Sequence, residues 1–482
     1  MSAQLCKNKP SYYLWMLIII FCMFGFRLFP AIEPLTPVGM QVVGVFLGMV
    51  IGWSTVGLLW PSILGLVAVG FTGYVDTPLV AIQSAFTNAN VLYVLFLFIF
   101  VGLLKHAGIM DWMAYQFVKL KVSKNRPWIL SLLFLEAAFV LAALVDVMAA
   151  VLIVWEIFYK VASSVKQDGN NAFVRFNITG IMMLASTGVA IFYFKFPYIL
   201  LASAYEGFSG IPINGSGWFM YFTILGQVLL FIYLLLGKFV FRINTDEFKN
   251  ISVKEVLNQT KLTNYQRIVV VILTLYMVCM LLPSYLPAET AVAQALSGLG
   301  NAGITAVACV LLTMWNFTEG IAFNTAARES INWDIFFITA AAIYISSALT
   351  DDATGVSAFL AGIMEPLAES NLTILIIVVI IAIAGFLTGV MNSIVVGMLF
   401  SQIGFSFAMA AGINPAPVVY GVLFVINYAY ITPAGCALAP LYHGRQEWIG
   451  GTKHATMYGI LCSALGIVVA LIIGWPVASL VF

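Results

Sequence analysis

Few folds are open to an apolar chain whose two halves are interrupted by polar residues at corresponding places. Leu144-Val145-Asp146-Val147-Met148-Ala149-Ala150-Val151 is echoed 246 residues later by Val390-Met391-Asn392-Ser393-Ile394-Val395-Val396-Gly397. The same offset relates Ser186-Thr187-Gly188 to Thr432-Pro433-Ala434, and Leu103-Leu104-Lys105-His106 to Leu349-Thr350-Asp351-Asp352. Duplicated halves with matching interruptions inside apolar segments are the sequence pointer to the binding site of a secondary transporter.

The surroundings of these breaks fit a membrane. Hydrophobic residues make up 62% of the chain and charged residues 9%, against roughly a quarter charged in water-soluble globular proteins. The chain therefore reads as an all-α polytopic membrane protein. Runs long enough to cross about 30 Å of hydrocarbon, roughly 20 residues each, fall near 12–29, 38–56, 57–74, 89–107, 174–200, 216–240, 267–286, 289–315, 333–349 and 457–480. The stretches 128–165, 371–411 and 416–442 are apolar but broken, and the first two are long enough to enter the membrane and return.

A net charge of +1, with no basic run interleaved with aromatics, gives no reason to expect a nucleic-acid partner. The six cysteines (Cys6, Cys22, Cys279, Cys309, Cys436, Cys462) lack CxxC spacing and read as small apolar residues, not as zinc ligands or a disulfide framework. Lys7 and Lys9 precede the first apolar run, but Phe26-Arg27-Leu28-Phe29-Pro30 has no small-residue cleavage site, so 12–29 is expected to remain as the first span. No HExxH or GxSxG motif and no paired acids in facing spans suggest an enzyme, and no metal site is expected.

Positive charge marks cytoplasmic loops. It gathers at Lys105, Lys119, Lys121, Lys124, Arg126, Lys160, Lys166 and Arg175, and again at Lys238, Arg242, Lys249, Lys254, Lys261 and Arg267. The counterpart of 105–126 is 351–372, with Asp351, Asp352, Glu365 and Glu369 and no Lys or Arg; the counterpart of 160–175 carries no charge. Conversely, 197–216 holds only Glu206, whereas 443–462 holds His443, Arg445, Glu447, Lys453 and His454. The bias reverses between copies, so the halves are expected to be inverted in the cytoplasmic membrane, with the N-terminus inside and the C-terminus outside. His106, His443 and His454 are expected at cytoplasmic margins.

On this layout 126–166 and 370–411 are re-entrant hairpins of opposite orientation with Asp146 and Asn392 at their tips. Segments 174–200 and 416–442 are spans broken at Ser186-Thr187-Gly188 and Thr432-Pro433-Ala434-Gly435, because proline removes a backbone donor and glycine weakens a helix. Unwound backbone at membrane depth persists only where protein or a water-filled cavity satisfies it. The four interruptions are expected to converge on one substrate.

Arranged this way, the chain resembles the divalent anion/sodium symporter family of the ion-transporter superfamily from about residue 38 onward. The resemblance rests on Ile331-Asn332-Trp333-Asp334-Ile335 leading into Ile345-Ser346-Ser347-Ala348-Leu349, on Phe386-Leu387-Thr388 before the second tip, and on Thr432-Pro433 followed by Tyr442-His443-Gly444. It implies about eleven transmembrane helices plus two re-entrant hairpins, and a homodimer working as an elevator. Scaffold parts at 38–125 and 267–369 would hold moving parts at 126–241 and 370–482, with an extra span at 1–37 and a cytoplasmic linker at 242–266. It also implies a small organic anion as substrate and sodium as coupling ion, with no other cofactor. The family's tip triplet Ser-Asn-Thr is here Val145-Asp146-Val147 and Asn392-Ser393-Ile394, and its Thr-Pro-Pro-Asn element is Thr432-Pro433-Ala434-Gly435. These departures leave sodium, protons and exchange all open as coupling modes.

Candidate substrate ligands are Asp146, Asn392, Ser393, Ser186, Thr187, Thr432 and Pro433; a coupling ion would be held at Asp146, Asn392, Gly188 and Gly435. A carboxylate inside the membrane costs roughly 2.5–3.5 kcal/mol on insertion scales and is a functional hypothesis by default. Asp146 could carry a proton, bind a cation or pair with a substrate cation; its plain structural role would be to cap the second arm of the hairpin. A cation/proton antiporter using Asp146 is the rival reading. Lys195 could pair with a substrate carboxylate, but is expected instead near the outer end of its span, snorkelling to the headgroups. Glu136 suits a proton path or a neighbouring partner equally, and Thr87-Asn88-Ala89-Asn90 looks like helix capping.

Overall fold

A computed structural model describes residues 10–118, 125–249, 262–287, 289–315, 322–368, 372–433, 435–436 and 438–482. The charges expected at Lys7, Lys9, Lys119, Lys121, Lys124, Lys254, Lys261 and Glu369, together with Ala434, lie outside the described residues.

The first half runs through α1 (Pro10–Gly25), α2 (Pro37–Thr55), α3 (Leu59–Val69), α4 (Pro78–Phe86), α5 (Ala89–His106) and α6 (Ile109–Val118). It continues with α7 (Pro127–Leu144), α8 (Val147–Ser164), α9 (Ala172–Gly188), α10 (Tyr198–Ser209) and α11 (Gly215–Leu235). The second half holds α12 (Asn264–Leu281), α13 (Ala291–Thr313), α14 (Phe323–Ser330), α15 (Trp333–Thr350) and α16 (Val356–Ala368). After these come α17 (Thr373–Leu387), α18 (Ser393–Ala410), α19 (Ala416–Val425), α20 (Ala439–Gly444), α21 (Gln446–Ile449), α22 (Thr452–Val469) and α23 (Trp475–Val481). The described residues contain no strand.

Local sequence explains many of the starts. Thr36, Thr77, Asn88, Asn171, Asn214, Thr290 and Asn332 each accept a hydrogen bond from a backbone N–H in the first turn of the helix that follows, a contact worth about 1 kcal/mol. Thr263 and Gln266 form a reciprocal capping box ahead of α12. Asn88 thus has the capping role expected of it, while Asn90 donates to the Ser203 hydroxyl at 2.6 Å.

Twelve helices among the described residues are long and apolar enough to cross a membrane, including α7, α8 and α18. The run 57–74 is not among them. Its helix α3 has 11 residues, about 16 Å at 1.5 Å per residue, and Pro61 in its first turn has no N–H with which to extend the helix backward. The run 289–315 forms α13 but bends at Gly300, whose φ of 61° departs from the helix.

Packing sorts these helices by depth. The window Ala172–Ile191 is 94% buried, against 39% for Asn264–Leu281 and 28% for Ala291–Thr313. Leu14, Phe231, Leu275 and Ile374 point outward, as an apolar solvent permits. α9 is therefore a central post, packed on α7, α8 and α11. α5 packs on α13 and α14, and α2 and α3 pack on α15. The Thr36 hydroxyl donates to Ala353 O at 2.8 Å, joining the two halves there.

Candidate functional site

Both polar tips are helix starts. Asp146 precedes α8 in an extended conformation and its carboxylate accepts from Ala149 N at 3.0 Å. Asn392 precedes α18 and accepts from Ile394 N at 3.0 Å. Each tip side chain thus pairs with one of the N–H groups a helix start leaves without a partner. Asp146 does more: its carboxylate also lies 3.2 Å from the ammonium of Lys105 in the last turn of α5.

The two breaks are equally clear, though one lies later than expected. Ser186, Thr187 and Gly188 are still helical, and Thr187 donates back to Met183 O at 2.9 Å, which holds the turn closed. The helix tightens at Val189–Ile191 and unwinds from Phe192, whose backbone is extended, until α10 begins at Tyr198. At the second break, α19 tightens at Ile426–Tyr428, and Thr432, Pro433 and Gly435 lie in the irregular segment before α20.

Lys195 overturns its expectation. It is not at a headgroup but 3% exposed, with its ammonium donating to Leu144 O at 3.1 Å and Val145 O at 3.0 Å. The reason is the displaced break: once the helix unwinds at 192, Lys195 belongs to an irregular connector beside the first tip and not to the last turn of a span. His443 likewise is buried, 6% exposed, with Nε2 3.1 Å from Tyr430 O, as are Ala439 and Tyr442 of the same helix.

The second tip is held in a parallel way by its own break. Thr432 donates to Gly389 O through its backbone N–H at 2.9 Å and its hydroxyl at 3.0 Å, and Ser393 N donates to Gly435 O at 3.0 Å. The breaks are then joined to each other. Thr187 and Tyr428 share a hydroxyl contact at 3.1 Å, and the Tyr198 hydroxyl donates to Asn427 Oδ1. A continuous path of bonds therefore runs from first tip to first break, to second break, to second tip. The Ser186 hydroxyl is buried there without a partner among the described residues.

Two glycines allow the close approaches. A Cβ on Gly188 would lie 2.1 Å from Phe139 O, and one on Gly435 would lie 2.1 Å from Ala429 O. Both positions need the absence of a side chain, and neither presents a side-chain ligand of its own.

The charge balance at the first tip is positive, with Lys105 and Lys195 against Asp146. The Lys105 pair is partly exposed, at 45% and 26% for the two side chains, so it contributes about 0–1 kcal/mol. No group of His, Cys, Asp or Glu suited to a metal ion occurs among the described residues. Tyr198, Asn427 and Tyr428 were not singled out from sequence; Asn427 within the apolar run 416–442 was the available signal.

Comparison with known families shows what kind of chain this is. A model of citrate transporters (CitMHS) matches residues 46–424. The chain belongs to the citrate transporter family. That family lies in the ion-transporter superfamily to which the sequence resemblance pointed, and membership makes this chain a multi-pass secondary transporter with a small-molecule substrate. Among solved structures, it is similar in fold to the YdaH transporter of Alcanivorax borkumensis, with a TM-score of 0.58 at 12% identity, over 82% of this chain and 88% of that one. It is similar too to MtrF of Neisseria gonorrhoeae, which represents a class of antimetabolite efflux pumps, with a TM-score of 0.58 at 12% identity, over 96% and 94% of the two chains. No curated protein sequence matches the chain significantly.

Proposed function

We propose that this citrate-family transporter carries a small organic anion of the di- or tricarboxylate class across the cytoplasmic membrane. The observation that carries the reading is the charge of the first tip, where two ammonium groups accompany one carboxylate. A carboxylate group entering there meets a net positive site flanked by the hydroxyls and amides of the breaks. Asn392, Ser393, Thr432 and the backbone around Pro433 are its nearest candidate ligands, with Asp146 holding Lys105 in place; Thr187 orients Tyr428, and the Ser186 hydroxyl has no partner among the described residues.

The mechanism we favour is an elevator. Segments 126–241 and 370–482 move with the substrate, as inverted repeats opening alternately to either side, and 38–125 with 267–369 form the scaffold of a homodimer. Uptake of labelled citrate, succinate and other carboxylates into liposomes containing the purified protein tests the substrate, with sodium and proton gradients imposed separately. Saturable carboxylate uptake is expected. A protein that moves no carboxylate, yet exchanges sodium for protons, would be the cation/proton antiporter instead.

A further inference from the structure

Leu144 is the last residue of α7, and Val145 after it has left the helix, with φ −121° and ψ −81°. Helix C-termini carry carbonyl groups without intrahelical donors and a partial negative charge. Here the Leu144 and Val145 carbonyls both accept from one buried ammonium, that of Lys195, and Asp146 is the next residue of the chain. Two carbonyl oxygens at a helix C-terminus are donors of the kind that hard cations take. Lys195 reaches it from the unwound connector of the first break, 50 residues along the chain from Val145.

We propose that Lys195 is a tethered cation, permanently filling at the first hairpin tip the place that a dissociable monovalent cation would otherwise occupy. The carbonyl end of α7 is then satisfied without a soluble ion. Any coupling cation binds elsewhere, and Lys105, on the exposed side of Asp146, is left as the ammonium that meets a substrate carboxylate. The inference deepens the anion reading but is tested through stability, so it survives or fails independently of which substrate is carried.

The test is thermal unfolding of the purified protein and of Lys195→Met, a side chain of similar length without charge, in potassium, sodium and methylammonium chlorides at one ionic strength. A cation bound only by the folded state raises its melting temperature by mass action. The expected result is a lower melting temperature for Lys195→Met, at least half recovered in sodium or methylammonium, with no methylammonium response from the unsubstituted protein. A variant as stable as the parent, or one that folds with a lowered melting temperature that no cation raises, overturns the proposal. Should Lys195→Met fail to fold in every salt, Lys195→Arg decides: a folded protein supports the tethered charge, and an unfolded one overturns it.

Discussion

The hydroxyl groups of Thr187 and Tyr428, 241 residues apart, meet at 3.1 Å inside the protein. Their contact joins the helix ends that precede the two unwound segments, as does the bond from Tyr198 to Asn427 between the start of α10 and the same turn. A buried acceptor left without its donor costs about 1–3 kcal/mol. Tyr198→Phe should therefore lower stability by that amount, because Asn427 Oδ1 loses its partner. Tyr428→Phe should cost less, since Thr187 keeps Met183 O. Chemical or thermal unfolding in detergent measures both, and a loss for Tyr428→Phe as large as that for Tyr198→Phe would mean that the Thr187 contact matters as much as the Asn427 one.

Asp146→Asn separates capping from charge. Asn caps helices as well as Asp does, so folding should be nearly unchanged. Removing the carboxylate makes the first tip more positive; one charge at about 6 Å in an effective dielectric of 20 is worth about 3 kcal/mol at most. KM for a carboxylate substrate should fall several-fold, with a lower maximal rate as release slows. A higher KM would instead place a substrate donor or a coupling cation on Asp146, and unchanged pH dependence would move the coupling proton elsewhere.

Gly188→Ala and Gly435→Ala each push a methyl group into a backbone carbonyl 2.1 Å away. Carbonyls cannot rotate aside as a side chain can, so each substitution should cost 1–3 kcal/mol or more and reduce the yield of folded protein. Normal yield and melting temperature for Gly188→Ala would show that α7 and α9 can separate at little cost.

Glu136 is paired, with Gln227 Nε2 at 3.1 and 3.2 Å from its two carboxylate oxygens. Gln227→Leu removes the only donor this pair provides and should destabilise by about 1–3 kcal/mol. Glu136→Gln preserves an acceptor and should be tolerated. If Glu136→Gln folds normally but stops uptake, the carboxylate belongs to a proton path.

Much of this site was legible because it is punctuation. Asp146 and Asn392 stand out as polar residues in apolar chain, and their shared offset marks them as counterparts. Thr432-Pro433 announces a break through chemistry, since proline lacks a donor. The first break had no such marker: serine and threonine bond back to their own helix, as Thr187 does, so they do not by themselves unwind it. Placing the break too early put Lys195 at the wrong depth. Tyr198 and Tyr428 were invisible for another reason, since an aromatic in an apolar run reads as packing until the partner of its hydroxyl is known.

The pair formed by Lys105 and Asp146 is partly open to solvent, whereas Lys195 is shut away. Mobile salt screens exposed charges over about 10 Å at 0.1 M and hardly reaches enclosed ones. Transport rates should therefore drift with total salt whichever cation is supplied, because screening weakens the exposed ammonium's pull on an incoming anion. Sodium and potassium media matched for ionic strength would remove that drift, and only the remainder would reveal a driving ion.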